Sequence, residues 1–182
     1  MGMKFAFNEK IDPKDIVSIR KQLGLKQKDL AAFLNVDERT LRNWENDNKE
    51  IKGPATCLLQ LLKYNPSLIQ KYLIEDKGNA LRLYYYHGKD LCSIIDCDYK
   101  NEIVNVKNYV DNVFYKPFGR NEKPSIKDFE EFLESRCVPK ERADLKLYLK
   151  EIDVPFYDPL LIIEKTEGRC TEDNFSIKIE RK

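Results

Sequence analysis

The tightest constraint on this chain is the segment from Gln27 to Asp47, where two short helical patterns are separated only by Asn35 and Val36. Leu30, Ala31, Phe33 and Leu34 recur at helical spacing in the first pattern, and Leu41 and Trp44 in the second. Asn is one of the few non-glycine residues that tolerate a left-handed backbone, so Asn35 can end one helix and re-aim the chain into the next. Asp37 then stands where its carboxylate can cap the second helix. A steep crossing over so short a turn needs a small residue at the closest approach, which Ala31 supplies. Val36, Leu41 and Trp44 fill the space beneath. That packing turns Glu38, Arg39, Arg42 and Asn43 outward, and Arg and Asn are the side chains that pair bidentately with guanine and adenine in a major groove. The segment reads as a helix-turn-helix whose neighbouring basic and amide groups are left for phosphates.

Gln27, Leu30, Ala31, Val36, Thr40, Leu41, Trp44 and Glu45 together resemble the Xre/Cro-like repressor family. Its pattern places Gln at the opening of the second helix, Leu-Ala within it, a hydrophobic residue after the turn, a Thr/Ser-hydrophobic pair, and Trp/Tyr-Glu at the close of the recognition helix. The resemblance implies a DNA-binding domain in which Asp37, Glu38, Arg39, Thr40, Arg42 and Asn43 read bases. It implies that Gln27 touches a phosphate, with Lys26, Lys28, Asn46 and Lys49 as further phosphate contacts, and that Arg20 pairs with Glu45 to lock the domain. Asn35 replaces the family's usual Gly. After Glu45 the family commonly continues with Asn-Gly and a Pro; here Asn46 and Asp47 precede Gly53 and Pro54, so the loop carrying Asn46, Asn48, Lys49 and Lys52 is longer and more acidic. The same part also resembles the DNA-binding half of MqsA-like antitoxins, where a Leu-rich helix ending in Asn/His-Pro follows the helix-turn-helix. Nothing here corresponds to the zinc half that opens those proteins.

Around that segment the chain reads as follows. Residues 1–11 form a frayed or strand-like lead-in. Asp12 caps a helix that Pro13 opens and Gly24 stops, patterned by Ile16, Val17, Ile19, Arg20 and Leu23. Gly53-Pro54 opens an apolar helix with Cys57, Leu58, Leu61 and Leu62 at helical spacing, and Pro66 starts another carrying Leu68, Ile69, Tyr72, Leu73 and Ile74. A mainly α domain of about five helices over residues 1–75 follows. Glu75-Asp76-Lys77-Gly78-Asn79 is the best linker. Residues 80–182 read as a smaller-sheet α+β domain. Leu81–His87 and Ile103–Val106 have strand character, and Phe175, Ile177 and Ile179 alternate with polar residues. Ser125 caps a helix from Ile126 to about Cys137, Pro139 starts one reaching Ile152, and Asp158-Pro159 opens one stopped at Gly168.

The chemistry of the second half is thin. Seven glycines and one histidine in 182 residues provide neither a phosphate-cradling loop nor a partnered general base. Five scattered cysteines without a Cys-x-x-Cys pair read as reduced, mostly buried thiols, and no metal or cofactor is expected. Tyr84, Tyr85 and Tyr86 with Lys89 could stack bases, but such a cluster more often packs on both faces of a strand. Phe114, Tyr115, Pro117 and Phe118 form an apolar patch suited to a protein partner, and Arg120, Arg136, Arg142 and Arg169 could meet an acidic one. Net charge is only +1, so affinity for phosphates has to come from local placement. No apolar run is long enough to span a bilayer and no signal peptide is read, so a cytoplasmic protein is expected.

The expectation is a non-enzymatic transcriptional repressor, homodimeric on palindromic double-stranded DNA, acting as an autoregulating antitoxin with a cognate toxin as partner. The alternatives are a phage or mobile-element repressor, and an enzyme or interaction domain fused to a helix-turn-helix.

Overall fold

The computed structural model describes residues 6–47, 49–78 and 80–181. They divide into two compact units, residues 1–74 and 75–182.

The first unit carries five helices: α1 (Pro13–Gln22), α2 (Gln27–Phe33), α3 (Glu38–Asn46), α4 (Pro54–Tyr64) and α5 (Ser67–Tyr72). Asp12 Oδ1 accepts from Lys14 N at 2.8 Å to cap α1, and Gly24 ends it with φ 67°. Asn35 takes φ 54°, the left-handed turn between α2 and α3. Asp37 does not cap as expected. Its backbone is extended and its carbonyl accepts from Leu41 N, but its exposed carboxylate, which water can solvate, makes no cap bond. Ile16, Ile19, Leu30, Ala31, Leu41, Leu59 and Leu62 are almost fully buried, with Val36 and Trp44 packed against them. On α4 the buried stripe is Thr56, Leu59, Gln60 and Leu62, whereas Cys57 and Leu61 of the expected face are exposed.

Two short strands complete the unit, one at the end of the strand-like lead-in and one unmarked by the sequence pattern. Strand β1 (Lys10–Ile11) pairs antiparallel with β2 (Ile51–Lys52), and Lys10 Nζ lies 2.7 Å from Glu50 Oε2. The buried Gln60 continues this pairing, donating to Asn8 O (2.8 Å) and accepting from Asn8 N (2.9 Å). The lead-in is thereby tied down from Asn8 onward; its first five residues lie outside the described ones, as does Asn48 of the loop.

The second unit is a four-stranded antiparallel sheet in the order β5-β4-β3-β6, with β3 at Leu81–His87, β4 at Asp90–Asp98, β5 at Ile103–Asn108 and β6 at Phe175–Glu180. Three strands run as a meander and the fourth returns beside the first, a Greek-key order. The long return carries α6 (Ile126–Ser135), α7 (Leu145–Glu151) and α8 (Pro159–Thr166). Leu83, Tyr85, Ile95, Phe129, Leu133, Ile163 and Ile177 form the core between sheet and helices. Ser125 and Asp128 cap α6 reciprocally, Ser125 Oγ accepting from Asp128 N and Asp128 Oδ2 from Ser125 N. Helix α7 starts at Leu145 rather than Pro139: residues 139–144 form turns, in which Arg142 pairs with Asp144.

Residues 75–78 are not a free linker. Arg82 donates to Glu75 O at 2.7 Å while holding Asp96 through both of its carboxylate oxygens, and Lys77 Nζ donates to Glu180 O at 2.7 Å. Asn79 lies outside the described residues.

Candidate nucleic-acid interface

Three helices converge on one carboxylate. Arg20 of α1 donates to Glu45 of α3 through Nε (2.6 Å) and Nη2 (3.0 Å), and Gln27 of α2 donates through Nε2 to Glu45 Oε2 (2.8 Å). Arg20 Nη1 also reaches Leu25 O at 3.2 Å, fixing the loop between α1 and α2. The Glu45 side chain is only 4% exposed. Burial pushes its carboxyl upward, but the hydrogen bonds from Arg20 and Gln27 and the charge of Arg20 outweigh that, leaving it below the usual carboxylate range. The bonds from Arg20 join residues 25 apart in sequence and the one from Gln27 residues 18 apart, so α1, α2 and α3 are locked as one body.

With α3 so fixed, Leu41 is fully buried and Trp44 half-buried beneath it, while Asp37, Glu38, Arg39, Arg42 and Asn43 are exposed and Thr40 is half-buried. Lys26, Lys28, Asn46 and Lys49 are exposed as well. Gln27 is half-buried and one of its amide hydrogens is taken by Glu45. Helix α3 is nine residues long, so its exposed face presents two turns to a partner.

On this face Arg42 Nη2 donates to Glu38 Oε1 at 2.9 Å, an i,i+4 pair that their spacing on a helix permits. Both side chains are about half exposed, and such a pair is worth at most about 1 kcal/mol. A guanine edge, worth about 1–3 kcal/mol to a bidentate Arg, outcompetes it. The pair orients Arg42 without trapping it.

The second unit gives no comparable surface from the residues the sequence singled out. Tyr85 is buried, stacked on Phe175 with ring centres 4.8 Å apart, so Tyr84, Tyr85 and Tyr86 do not form a common stacking platform. Arg136, Arg142 and Arg169 are paired within the unit to Asp173, Asp144 and Glu167. His87 stacks on Tyr115 at 4.5 Å. Burial raises the Cys137 thiol to about 12, so it is no thiolate. Phe114, at the tip of a 3₁₀ turn, is 87% exposed.

The depressed carboxyl of Glu45 sets a pH dependence. Its folded-state value lies below its unfolded one, so the stability it contributes is fully present above the unfolded value of about 4.3 and is lost as pH falls through the folded one. Asp173, held low by the hydrogen bonds of Arg136, does the same for the second unit. Melting temperature is expected to fall below pH about 4. Glu45→Gln should flatten that fall for Trp44 fluorescence, which reports the first unit because the chain has a single Trp, and leave the second unit's acid slope unchanged.

Among the described residues no helix is long and apolar enough to cross a membrane. Compared with known proteins, residues 16–57 match the helix-turn-helix family model. The chain is similar to antitoxin HigA-2 of Vibrio cholerae serotype O1, 37% identical over 59 residues, which is 32% of this chain and 57% of that protein. The chain thus spans a little over half of that relative's length. With the left-handed turn at Asn35, the buried Ala31 and Leu41 and the locked Arg20–Glu45 pair, the matched segment is a helix-turn-helix of the Xre type.

Proposed function

We propose that the protein is a sequence-specific DNA-binding transcriptional repressor whose base-reading helix is α3. The observation that carries this is the exposed row of Arg39, Arg42 and Asn43 on a helix whose opposite face is anchored by Leu41 and by Glu45. Asp37, Glu38 and Thr40 complete the reading surface; Lys26, Gln27, Lys28, Asn46 and Lys49 serve phosphates. A two-fold dimer places two such helices in successive major grooves, about 34 Å apart, on a palindromic operator. The likeness to an antitoxin favours an autoregulating antitoxin of a toxin-antitoxin pair, acting in the cytoplasm without catalysis of its own, and gives the second unit the role of binding a toxin.

The test is a band-shift titration against the DNA upstream of the protein's own gene, at two salt concentrations, with an unrelated duplex as competitor. Binding that survives the competitor supports the repressor. Binding that is absent, or salt-labile and indifferent to sequence, removes it. A second reading has its own observation: Asp37, Glu38 and Asp47 crowd the same helix with negative charge, which suits an interaction module that does not use DNA. In that case the competitor experiment shows no retained complex.

A further inference from the structure

The two outer strands of the sheet are finished differently. In an antiparallel pair, alternate residues give both N–H and C=O to the neighbour while those between turn theirs away. The bond from Tyr109 N to Cys92 O (2.8 Å), continued through the β4–β5 register, sets the phase for β5: Ile103, Asn105 and Lys107 face β4, and Val104, Val106 and Asn108 turn outward. On β6 the bond from Gly88 N to Asn174 O (2.9 Å) turns Phe175, Ile177 and Ile179 outward in the same way.

The chain itself caps the first half of the β6 edge, at Phe175 and Ile177. Ile177 N donates to Glu167 O at 2.7 Å, Phe175 N donates to Asp173 Oδ1 at 2.9 Å, and Phe175 O accepts from Arg136 Nη2 at 3.3 Å. Arg136 is itself buried, and Arg181, just past the strand, pairs with Glu164 of α8. On β5, by contrast, no described residue bonds the outward backbone groups of Val104, Val106 or Asn108. Such a row of free donors and acceptors is completed by a further strand.

The side chains say which strand fits. If β5 meets a second β5 about a two-fold axis at Val106, the outward groups match: Val106 exchanges bonds with Val106 of the other copy and Val104 with Asn108. Asn105 then stands opposite Lys107, so no like charges face each other. The groove beside the strand is lined by Lys116, Asp111 and Glu122 along with Val106 and Val110, charges of both signs that can meet their opposites on an identical surface. A partner surface of one sign would leave some of these charges opposed.

We propose that β5 pairs antiparallel with β5 of a second copy, joining two four-stranded sheets into one of eight strands. The contact is isologous and uses the β5 edge of each copy, while the capped Phe175 and Ile177 leave β6 a poor template, so assembly stops at two rather than growing into a filament. The interface supplies the dimer that the repressor reading requires, and for its purpose it rests on that reading.

The experiment is sedimentation of the full chain across the micromolar range, combined with amide hydrogen exchange. A dimer is expected, with the amides of Val104, Val106 and Asn108 protected like those facing β4, and with that protection lost on dilution to the monomer. Val106→Pro deletes only an outward-facing amide at an edge, where proline is tolerated; it is expected to keep the thermal transition of the second unit and to sediment as a monomer. The dilution series needs no variant, so it decides even if Val106→Pro fails to fold. A wild-type chain that stays monomeric overturns the proposal and the two-fold operator with it. A dimer whose Val104, Val106 and Asn108 amides exchange freely, or a folded Val106→Pro that still dimerises, overturns the β5 interface alone and leaves the repressor reading standing.

Discussion

Replacing Arg20 by alanine is expected to destabilise the first unit by about 3–5 kcal/mol, the usual cost of removing one partner of a buried ion pair. Glu45 is nearly inaccessible and receives three hydrogen bonds, two of them from Arg20. Without Arg20 the carboxylate keeps only the Gln27 amide, and Leu25 O loses a donor as well. The loss should appear in denaturant unfolding followed by Trp44 fluorescence, as a lower midpoint with unchanged slope. Replacing both ends, Arg20→Met with Glu45→Leu, should restore much of it, because a packed apolar pair needs no solvation to be made up. An Arg20→Ala midpoint equal to wild type would remove the pair from the account of what holds α1, α2 and α3 together.

The second large effect concerns affinity rather than stability. Arg39→Ala combined with Arg42→Ala is expected to weaken binding to the specific operator by about 2–6 kcal/mol, at about 1–3 kcal/mol for each bidentate contact. At about 1.4 kcal/mol per tenfold, that is roughly 30-fold to 10⁴-fold in Kd. Both side chains are exposed, so the Trp44 unfolding midpoint should stay where it is. Loss of affinity for the operator together with unchanged weak binding to random duplex would mark these residues as readers of bases rather than of phosphates. Undiminished specific affinity would place the reading surface elsewhere on the molecule.

The first unit was readable because its signals are local. Asp12-Pro13, Gly24, Asn35 and Gly53-Pro54 punctuate helices whose buried residues repeat at the helical period, and each sits where the backbone needs it. What the sequence does not display depends on partners distant along the chain. The Gln27 bond to Glu45 leaves no trace in spacing, and the two-residue strand β2 is too short to show a period. Strand β4 lacks a sequence signature for another reason. Cys92, Ser93, Ile94 and Ile95 are all buried, so the polar-apolar alternation that marks a half-exposed strand is absent. Pro139 reads as a helix opener because proline suits a first turn, yet it suits a non-helical turn equally well.

The Greek-key order also governs when each unit can fold. All five helices of the first unit are closed by contacts within residues 6–74, so it can be complete while the rest of the chain is still being synthesised. The sheet has to wait. Its strand β3 pairs on one side with β4, which follows at once, but on the other with β6, where Arg82 meets Glu180 across the whole helical return. Loop closure over such a separation slows folding, and until it happens β3 offers a bare edge to any neighbouring nascent chain. The second unit is therefore the later to mature and the more exposed to mispairing during synthesis, and a truncation that removes only Phe175–Glu180 would make that transient edge permanent.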